Sequence, residues 1–393
     1  MILFLFACVT HQLVGVPPGA VVVPEVDFGP HDSAQTEWWH IHARLWDVQT
    51  GEPLDVFAGF VVQRTDLDRV AMVPVPLGAN PFHAAYVRLA TPEHAWTADR
   101  ESFPDFFSAG FARGGPFHGN WSLKEEAGDL VLSTGAGPVK AELRLTPTRE
   151  PTLPGAGGRV RLAPHAASLW AQDEGMAVQG RWVEGNRVRH VEGVGFAKHQ
   201  WGRLYDPEVD GFEWFSADLP GGRALSIGWI QNDGMGGVPG TLAWTATADG
   251  VVTPLDPTKM QVLPTRWWRS PRSGARWPVA WTVKGEGLDL AVEAERTDQE
   301  MWVFPASIWA GPARFAGTVD GDDISVRGFA EQVGADAPAL RFLFHSDEPP
   351  VEVDDTYAAA SAPAALTPAV DPAPAEILVP YTIQFGAQIE GTP

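Results

Sequence analysis

Two segments of this chain carry the same patterns in the same order, and that repetition limits the fold more than any other feature. Glu37-Trp38-Trp39, followed by Leu45, Gly51, Leu54 and Gln63-Arg64-Thr65-Asp66, returns as Glu213-Trp214-Phe215, followed by Leu219, Gly222, Leu225 and Gln231-Asn232-Asp233. Each copy reads as strand, turn, strand. Farther on, Trp121-Ser122-Leu123-Lys124-Glu125-Glu126 with Asp129-Leu130 matches Trp281-Thr282-Val283-Lys284-Gly285-Glu286 with Asp289-Leu290, position for position. A weaker echo pairs Gly195-Phe196-Ala197 with Gly328-Phe329-Ala330. One supersecondary plan used twice gives this signature, so the chain is expected to form two similar units that meet near Leu204–Gly211.

The units are expected to be all-β. Short runs rich in Val, Leu, Trp and Thr recur between Gly, Pro, Asn and Asp turns: Asp129–Ser133, Lys140–Leu145, Gly180–Val188, Ala224–Ile230, Leu288–Ala294 and Ile324–Phe329. That spacing belongs to antiparallel sandwiches and barrels. Glu184-Gly185-Asn186 and Asp320-Gly321-Asp322 are the best hairpin turns. With 41 Gly and 35 Pro there is little room for long helices, although a turn or two could lie in Glu101–Ala112. The lone cysteine, Cys8, forbids an intramolecular disulfide or a thiolate metal cluster, so stability rests on packing. The 17 tryptophans against 4 tyrosines make indole the main large packing unit.

A formal charge of −21 makes nucleic acid an unsuitable partner. Met1–Val9 is apolar but too short to span a bilayer, which needs about 20 residues. Leu5-Phe6-Ala7-Cys8 resembles the box at which bacterial lipoproteins are cleaved and lipidated on cysteine, and a polar, then Pro-rich tether follows through Pro24. The alternative is a mis-set start or a buried apolar terminus. Residues 1–24 are thus expected to be leader and tether, 25–205 a first barrel, 206–345 a second, and 346–393 an Ala/Pro-rich linker with a final strand at Ile377–Phe385.

Strand alternation sorts the candidate site. Trp39, Ile41, Ala43 and Leu45 form one apolar face, as do Phe215, Ala217 and Leu219, and these are core. The opposite face carries Trp38, His40 and His42 in one unit and Trp214, Ser216 and Asp218 in the other. An indole beside polar groups on a non-core face suits either a ligand wall or a contact between units. His40 and His42, with His199, could be imagined as metal ligands, but hydrogen-bonded histidines are the commoner explanation, and no metal or other cofactor is assigned. Glu37 and Glu213, being repeat equivalents, should sit in separate barrels and act structurally rather than as a glycosidase pair. Gly110–Gly119 and Gly155–Gly158 lack the context of a phosphate loop.

Thr36-Glu37-Trp38-Trp39, His83-Ala84-Ala85, Gly193–Gly202 ending in His199-Gln200-Trp201-Gly202, and Phe212-Glu213-Trp214-Phe215-Ser216 resemble the lipocalin-like family of carotenoid 1,2-hydratases and AttH-type proteins. The likeness runs across roughly residues 26–333. It implies two tandem lipocalin-like antiparallel β-barrels, in accord with the repeat. It also implies a range of activities: some members hydrate a terminal isoprenoid double bond, fungal relatives guide pericyclic ring closure, and many are exported proteins without an assigned reaction. Alkene hydration needs a strong acid, aromatic faces for the cation and a base for water. The aromatics would be Trp38, Trp201 and Trp214, and His199 matches the family histidine as the candidate catalytic base. The family's Tyr-x-Asp pair is missing from Ala224–Ile230, and Lys198 replaces its acidic residue before His-Gln-Trp-Gly.

Two functions follow. One is binding of an apolar small molecule, a lipid or isoprenoid, in a Trp-lined pocket near the barrel contact, formed by Trp38, His40, His42, Trp201, Trp214 and Asp218. The other is a hydratase or cyclase using the same pocket. Trp38, His199, Trp201 and Trp214 are expected to converge there. The protein is expected to be exported, periplasmic or membrane-anchored, the anchor being lipid on Cys8. Metabolic labelling with a fatty acid should mark the wild-type chain and leave Cys8→Ser unlabelled; an unlabelled wild type keeping Met1 would reject the anchor.

Overall fold

The computed structural model describes residues 16–333 apart from 18, 25, 65–68, 71–72, 75–80, 103–108, 113, 156, 164–165, 204–210, 232–240 and 304–305. The lipidation motif at Cys8, the unit junction, the middle of the suggested helical turn, the Ala/Pro-rich linker and the proposed last strand lie outside the described residues. The chain is all-β, with only two single 3-10 turns, Pro220–Gly222 and Pro257–Lys259, among the described residues. No helix there is long and apolar enough to cross a membrane.

The first unit contains β1 (Thr36–Asp47), β2 (Pro53–Gln63), the two-residue β3 (Arg69–Val70) and β4 (Val73–Pro74), β5 (Phe82–Ala90), β6 (Ala95–Ser102), β7 (Ala109–Phe111), β8 (Pro116–His118), β9 (Trp121–Glu126), β10 (Asp129–Ala136), β11 (Val139–Thr146), β12 (Arg159–Ala163), β13 (Ala166–Glu184) and β14 (Arg187–Arg203). The second contains β15 (Gly211–Asp218), β16 (Ala224–Gln231), β17 (Thr241–Ala246), β18 (Val252–Pro254), β19 (Gln261–Arg269), β20 (Arg276–Gly285), β21 (Leu288–Ala294), β22 (Glu300–Val303), β23 (Ala306–Val319) and β24 (Asp322–Val333). Antiparallel pairing orders the first sheet β6-β5-β2-β1-β14-β13-β11-β10-β9-β8-β7 and the second β18-β17-β16-β15-β24-β23-β21-β20-β19. The first is a nearly closed barrel, with β10 packing across onto β5 and β6; the second is a half-barrel.

Both long hairpins turn where the sequence indicates. Gly185 joins β13 to β14 at φ +57°, and β23 passes to β24 through Asp320 and Gly321 at +53° and +85°. Two successive left-handed residues in the second turn, and a left-handed glycine in the first position of the other, give turns whose twist matches their strands. The two sheet orders align strand for strand outward from these hairpins. Trp38 on β1 and Trp214 on β15 therefore occupy equivalent strands. Trp121 and Trp281 do not: β9 lies third from β13, whereas β20 lies second from β23. Their shared pattern encodes a hairpin with one indole facing inward, and a local pattern of that kind does not fix which place in the sheet the hairpin takes.

Alternation is obeyed in both units. Trp39, Ile41, Ala43 and Leu45 join Leu123, Leu132 and Trp182 in the first core, and Phe215, Ala217 and Leu219 join Trp277, Trp281 and Trp309 in the second. Each fully buried large side chain of this type contributes roughly 1.5–3 kcal/mol. The outer faces of β1 and β15 are covered by the other unit. Phe57 and Tyr86 meet Met301 and Ile308 in one mixed cluster, and Trp170 meets Trp214 and Trp244 in another. Gly228 permits the second contact, because a Cβ there would fall inside the Trp214 ring. Gly228→Ala is expected to cost about 1–3 kcal/mol by overpacking, measured by urea denaturation. Gly29, whose Cβ would meet nothing closer than 3.8 Å, serves as the comparison; equal effects from both alanines would refute the close packing at Trp214.

Candidate functional site

The contact between the units is centred on a carboxylate. Glu331, 1% exposed on β24, reaches between the outward side chains of β1 and β14. It accepts a hydrogen bond from Lys198 Nζ at 3.0 Å, and its oxygens lie 2.9 Å from His40 Nδ1 and 3.6 Å from His42 Nε2. The Tyr86 hydroxyl bonds to His40 Nε2 from behind. Burial lowers the pKa of Lys198 and of both histidines, His42 down to about 4. Burial alone would raise Glu331, but the charges of His40 and Lys198 outweigh it and hold it well below the usual carboxylate range. The ammonium is also caged by the rings of Trp170, Phe212 and Trp214, 5.6 to 5.8 Å away. Trp38 stacks on Phe212 at 5.9 Å.

His199 and Trp201 face the other way. On β14 they share parity with Ala197, directly opposite Ile41 of the first core, whereas Lys198 and Gln200 face the second unit. The expected meeting of Trp38, His199, Trp201 and Trp214 in one cavity is therefore not found. Trp38, His40, His42 and Trp214 lie between the units, and the other two lie inside the first barrel. The reason is the two-residue period of a strand, which puts neighbours in His199-Gln200-Trp201-Gly202 on opposite faces. Asp218, half-buried at the end of β15, accepts from Arg149 Nη2 at 3.0 Å across the contact.

Inside the barrel, Glu37 organises the histidines. It accepts from His31 Nδ1 at 2.8 Å, from the His31 main-chain N–H at 3.0 Å and from His199 Nε2 at 3.1 Å, with Arg64 Nη1 at 3.6 Å. Burial would raise its pKa, yet hydrogen bonds from His199 and His31 bring it to about 2. Burial lowers the pKa of His199. Trp201 stacks on His31 at 4.1 Å and Trp39 on His199 at 4.5 Å, so both imidazoles are fixed by indole faces. The donor atoms of His31, Glu37 and His199 lie within 4.8 Å of one another, near enough to hold a metal ion, but they also satisfy each other as a hydrogen-bonded set. His40 and His42 cannot join His199 as ligands, because the sheet separates them. Glu213, the repeat partner of Glu37, accepts from Trp281 Nε1 at 3.0 Å in its own barrel.

Beside this set lies a cavity of about 680 Å³. Val22, Phe28, Trp39, Ile41, Leu123, Leu130, Ala171 and Ala197 supply its apolar lining, Asp27, Glu125, Arg149 and Glu150 line it as well, and Ala248 and Asp249 of the second unit reach it. Asp173 and His199 both line it. In the register, Asp173 is opposite Ala197 and Ala171 opposite His199, which makes the acid and the imidazole diagonal neighbours on one inner face. Burial and the adjacent charge of Glu174 push Asp173 up to about 7. A bulge between Asp173 and Met176, with Gly175 at φ +64°, keeps both of those residues on the inner face while Glu174 turns outward to Gln172 and Ser226.

A model of the AttH-like family matches residues 15–335. The chain belongs to this family. A Nitrosomonas europaea protein described as AttH superposes with a TM-score of 0.72 at 24% identity, over 82% of this chain and 100% of that one. Kievitone hydratase from Nectria haematococca superposes with a TM-score of 0.63 at 15% identity, over 84% of this chain and 97% of that one. Both likenesses establish the fold. A comparison with curated proteins finds no match.

In this AttH-like chain, sequence reasoning passed over Asp173, Glu331, Tyr86 and His31. Asp173 had one signal, a glycine two residues later in an otherwise alternating run, which marks a bulge. Glu331 had none, since its partners are 133 or more positions away. Its removal should be costly: Glu331→Gln leaves the Lys198 ammonium buried without a counter-charge, an expected loss of about 3–5 kcal/mol. A carboxylate with a depressed folded pKa stabilises above its unfolded pKa of 4.5 and loses that contribution as pH falls through the lower folded value. The gap between wild type and Glu331→Gln should be full at pH 7 and close in strong acid, followed by denaturation at each pH. A gap independent of pH would show that the charge is not what matters.

Proposed function

We propose that this AttH-like protein binds an apolar small molecule, of lipid or isoprenoid type, inside its first barrel. The observation that carries this is the cavity of about 680 Å³ walled by Trp39, Ile41, Leu123 and Leu130. Its size falls within the range of small-molecule pockets, and its apolar wall faces a lining that also carries Asp27, Glu125, Arg149, Glu150, Asp173 and Asp249. The Trp-lined contact between the units is a weaker candidate, because Trp38 and Trp214 are covered by protein there.

A second reading rests on Asp173 and His199 sharing the inner face. A carboxyl group whose pKa lies near 7 can deliver a proton at neutral pH, and the adjacent Trp39 ring could shield a developing cation. That is the apparatus of a hydratase or of a cyclase. The acid would then lie on β13 rather than on the strand after Trp214-Phe215-Ser216. Kievitone hydratase, similar in fold, is the solved relative that makes this reading worth testing.

Titration with the neutral fluorophore N-phenyl-1-naphthylamine tests the binding site. One bright site per chain is expected, and Ala171→Trp, which fills the cavity, should weaken it at least tenfold. Trp214→Ala should instead lower stability by about 3–5 kcal/mol and leave probe affinity unchanged. Unaltered affinity in Ala171→Trp would exclude the first barrel as the binding site.

A further inference from the structure

The cavity is lined by acids that the protein leaves unanswered. Among the described residues, the Asp173 carboxyl has neither a hydrogen bond nor an ion pair. Glu125 and Glu150, which also line the cavity, likewise have no side-chain partner among the described residues, whereas Asp27 accepts from the Val23 main chain at 2.7 Å and Asp249 is bonded by the Thr247 hydroxyl at 2.5 Å. The cations nearby are already committed. Arg149 donates to Gly222 O at 2.7 Å and to Asp218 at 3.0 Å, with Glu174 at 3.5 Å. The Lys198 ammonium is on the opposite face of the sheet with Glu331. Asp173 is the acid that shares the inner face with Ala197 and His199; the charge of Arg149 acts on it, but no cation among the described residues bonds to it.

We propose that the molecule held in the first barrel is a cationic amphiphile, an amine whose ammonium meets Asp173 and whose apolar tail lies along Trp39, Ile41, Leu123 and Leu130. This rests on the cavity being the binding site. An ammonium offers Asp173 a charge-assisted hydrogen bond, the strongest single contact open to it, in surroundings where water competes weakly. A fatty acid would place a second carboxylate beside Asp173 and be repelled. An alcohol or ester could bond only to the protonated acid and would gain less. The indole of Trp39 offers the same ammonium a favourable π face.

Displacement of N-phenyl-1-naphthylamine from the full chain, at about 150 mM salt to screen the overall negative charge, separates these cases with three probes of equal tail length. Dodecylamine is expected to displace the fluorophore at about tenfold lower concentration than dodecanol, and dodecanoate more weakly than either. Asp173→Asn should erase the preference for the amine while leaving dodecanol within about twofold of wild type. Glu150→Gln, which removes a rim acid, should keep the preference. If Asp173→Asn does not fold, Asp173→Ser takes its place. Dodecanol as tight as the amine, or a preference that survives loss of Asp173, overturns the proposal but leaves the cavity as a site for neutral ligands. Failure of all three to displace the probe, with Ala171→Trp without effect, would instead overturn the cavity reading itself.

Discussion

The arrangement of the two units depends on one buried carboxylate. Glu331 projects from the second sheet into a space where His40, His42 and Lys198 of the first are all at most 2% exposed. Moving such charges out of water is expensive, and only close pairing repays it. Apolar contacts on either side, Phe57 and Tyr86 against Met301 and Ile308, Trp170 against Trp214 and Trp244, would tolerate a small slide of one sheet over the other. The Lys198 to Glu331 hydrogen bond would not, because a displacement of even one residue strands both charges. The aromatic clusters supply most of the burial energy, and the ion pair sets the register.

That division of labour also explains which face of the sheet keeps open space. The sheet β1–β14 has two faces with different tasks: Lys198, Gln200, Trp38 and His40 are turned to the other unit, and His199, Trp201, Trp39 and Ile41 are turned to the barrel interior. The outer face is closed by docking. The inner face keeps its space, since Trp39 and His199 stack on each other and Glu37 with His31 and Trp201 holds them against one end of the barrel. What remains is a cavity with an apolar wall and, among the described residues, three acids without a side-chain partner, Glu125, Glu150 and Asp173. The second unit is therefore more than a repeat, because its turn at Ala248 and Asp249 completes the rim.

The family signature takes on physical sense in this frame. Glu37 in Glu-Trp-Trp and His199 in His-Gln-Trp-Gly are joined by a hydrogen bond across β1 and β14, 162 residues apart in sequence. Motifs that look independent are two halves of one contact. The missing Tyr-x-Asp of the hydratases leaves no acid on β16, yet the barrel holds a carboxyl of perturbed pKa on β13, so the chemistry available to this site is not decided by that absence.

By itself the sequence determined the all-β class, the two similar units, both long-hairpin turns and the core faces of β1 and β15. Each of these follows from period-two alternation or from left-handed turn residues, which are local. The candidate site was only half legible. Trp38, His40, His42, Trp201, Trp214 and His199 were recognisable as residues too polar or too large for an ordinary strand face, but alternation tells which side of its own strand a residue takes, not what covers that side. Pairing β1 with β14 decided it, placing His199 and Trp201 inside the barrel and the rest between the units. The same limit explains why Trp121 and Trp281 matched in sequence without matching in place. Glu331 became visible only in the folded chain, because a buried charge is defined by partners and by water it no longer touches, and both are properties of the tertiary structure.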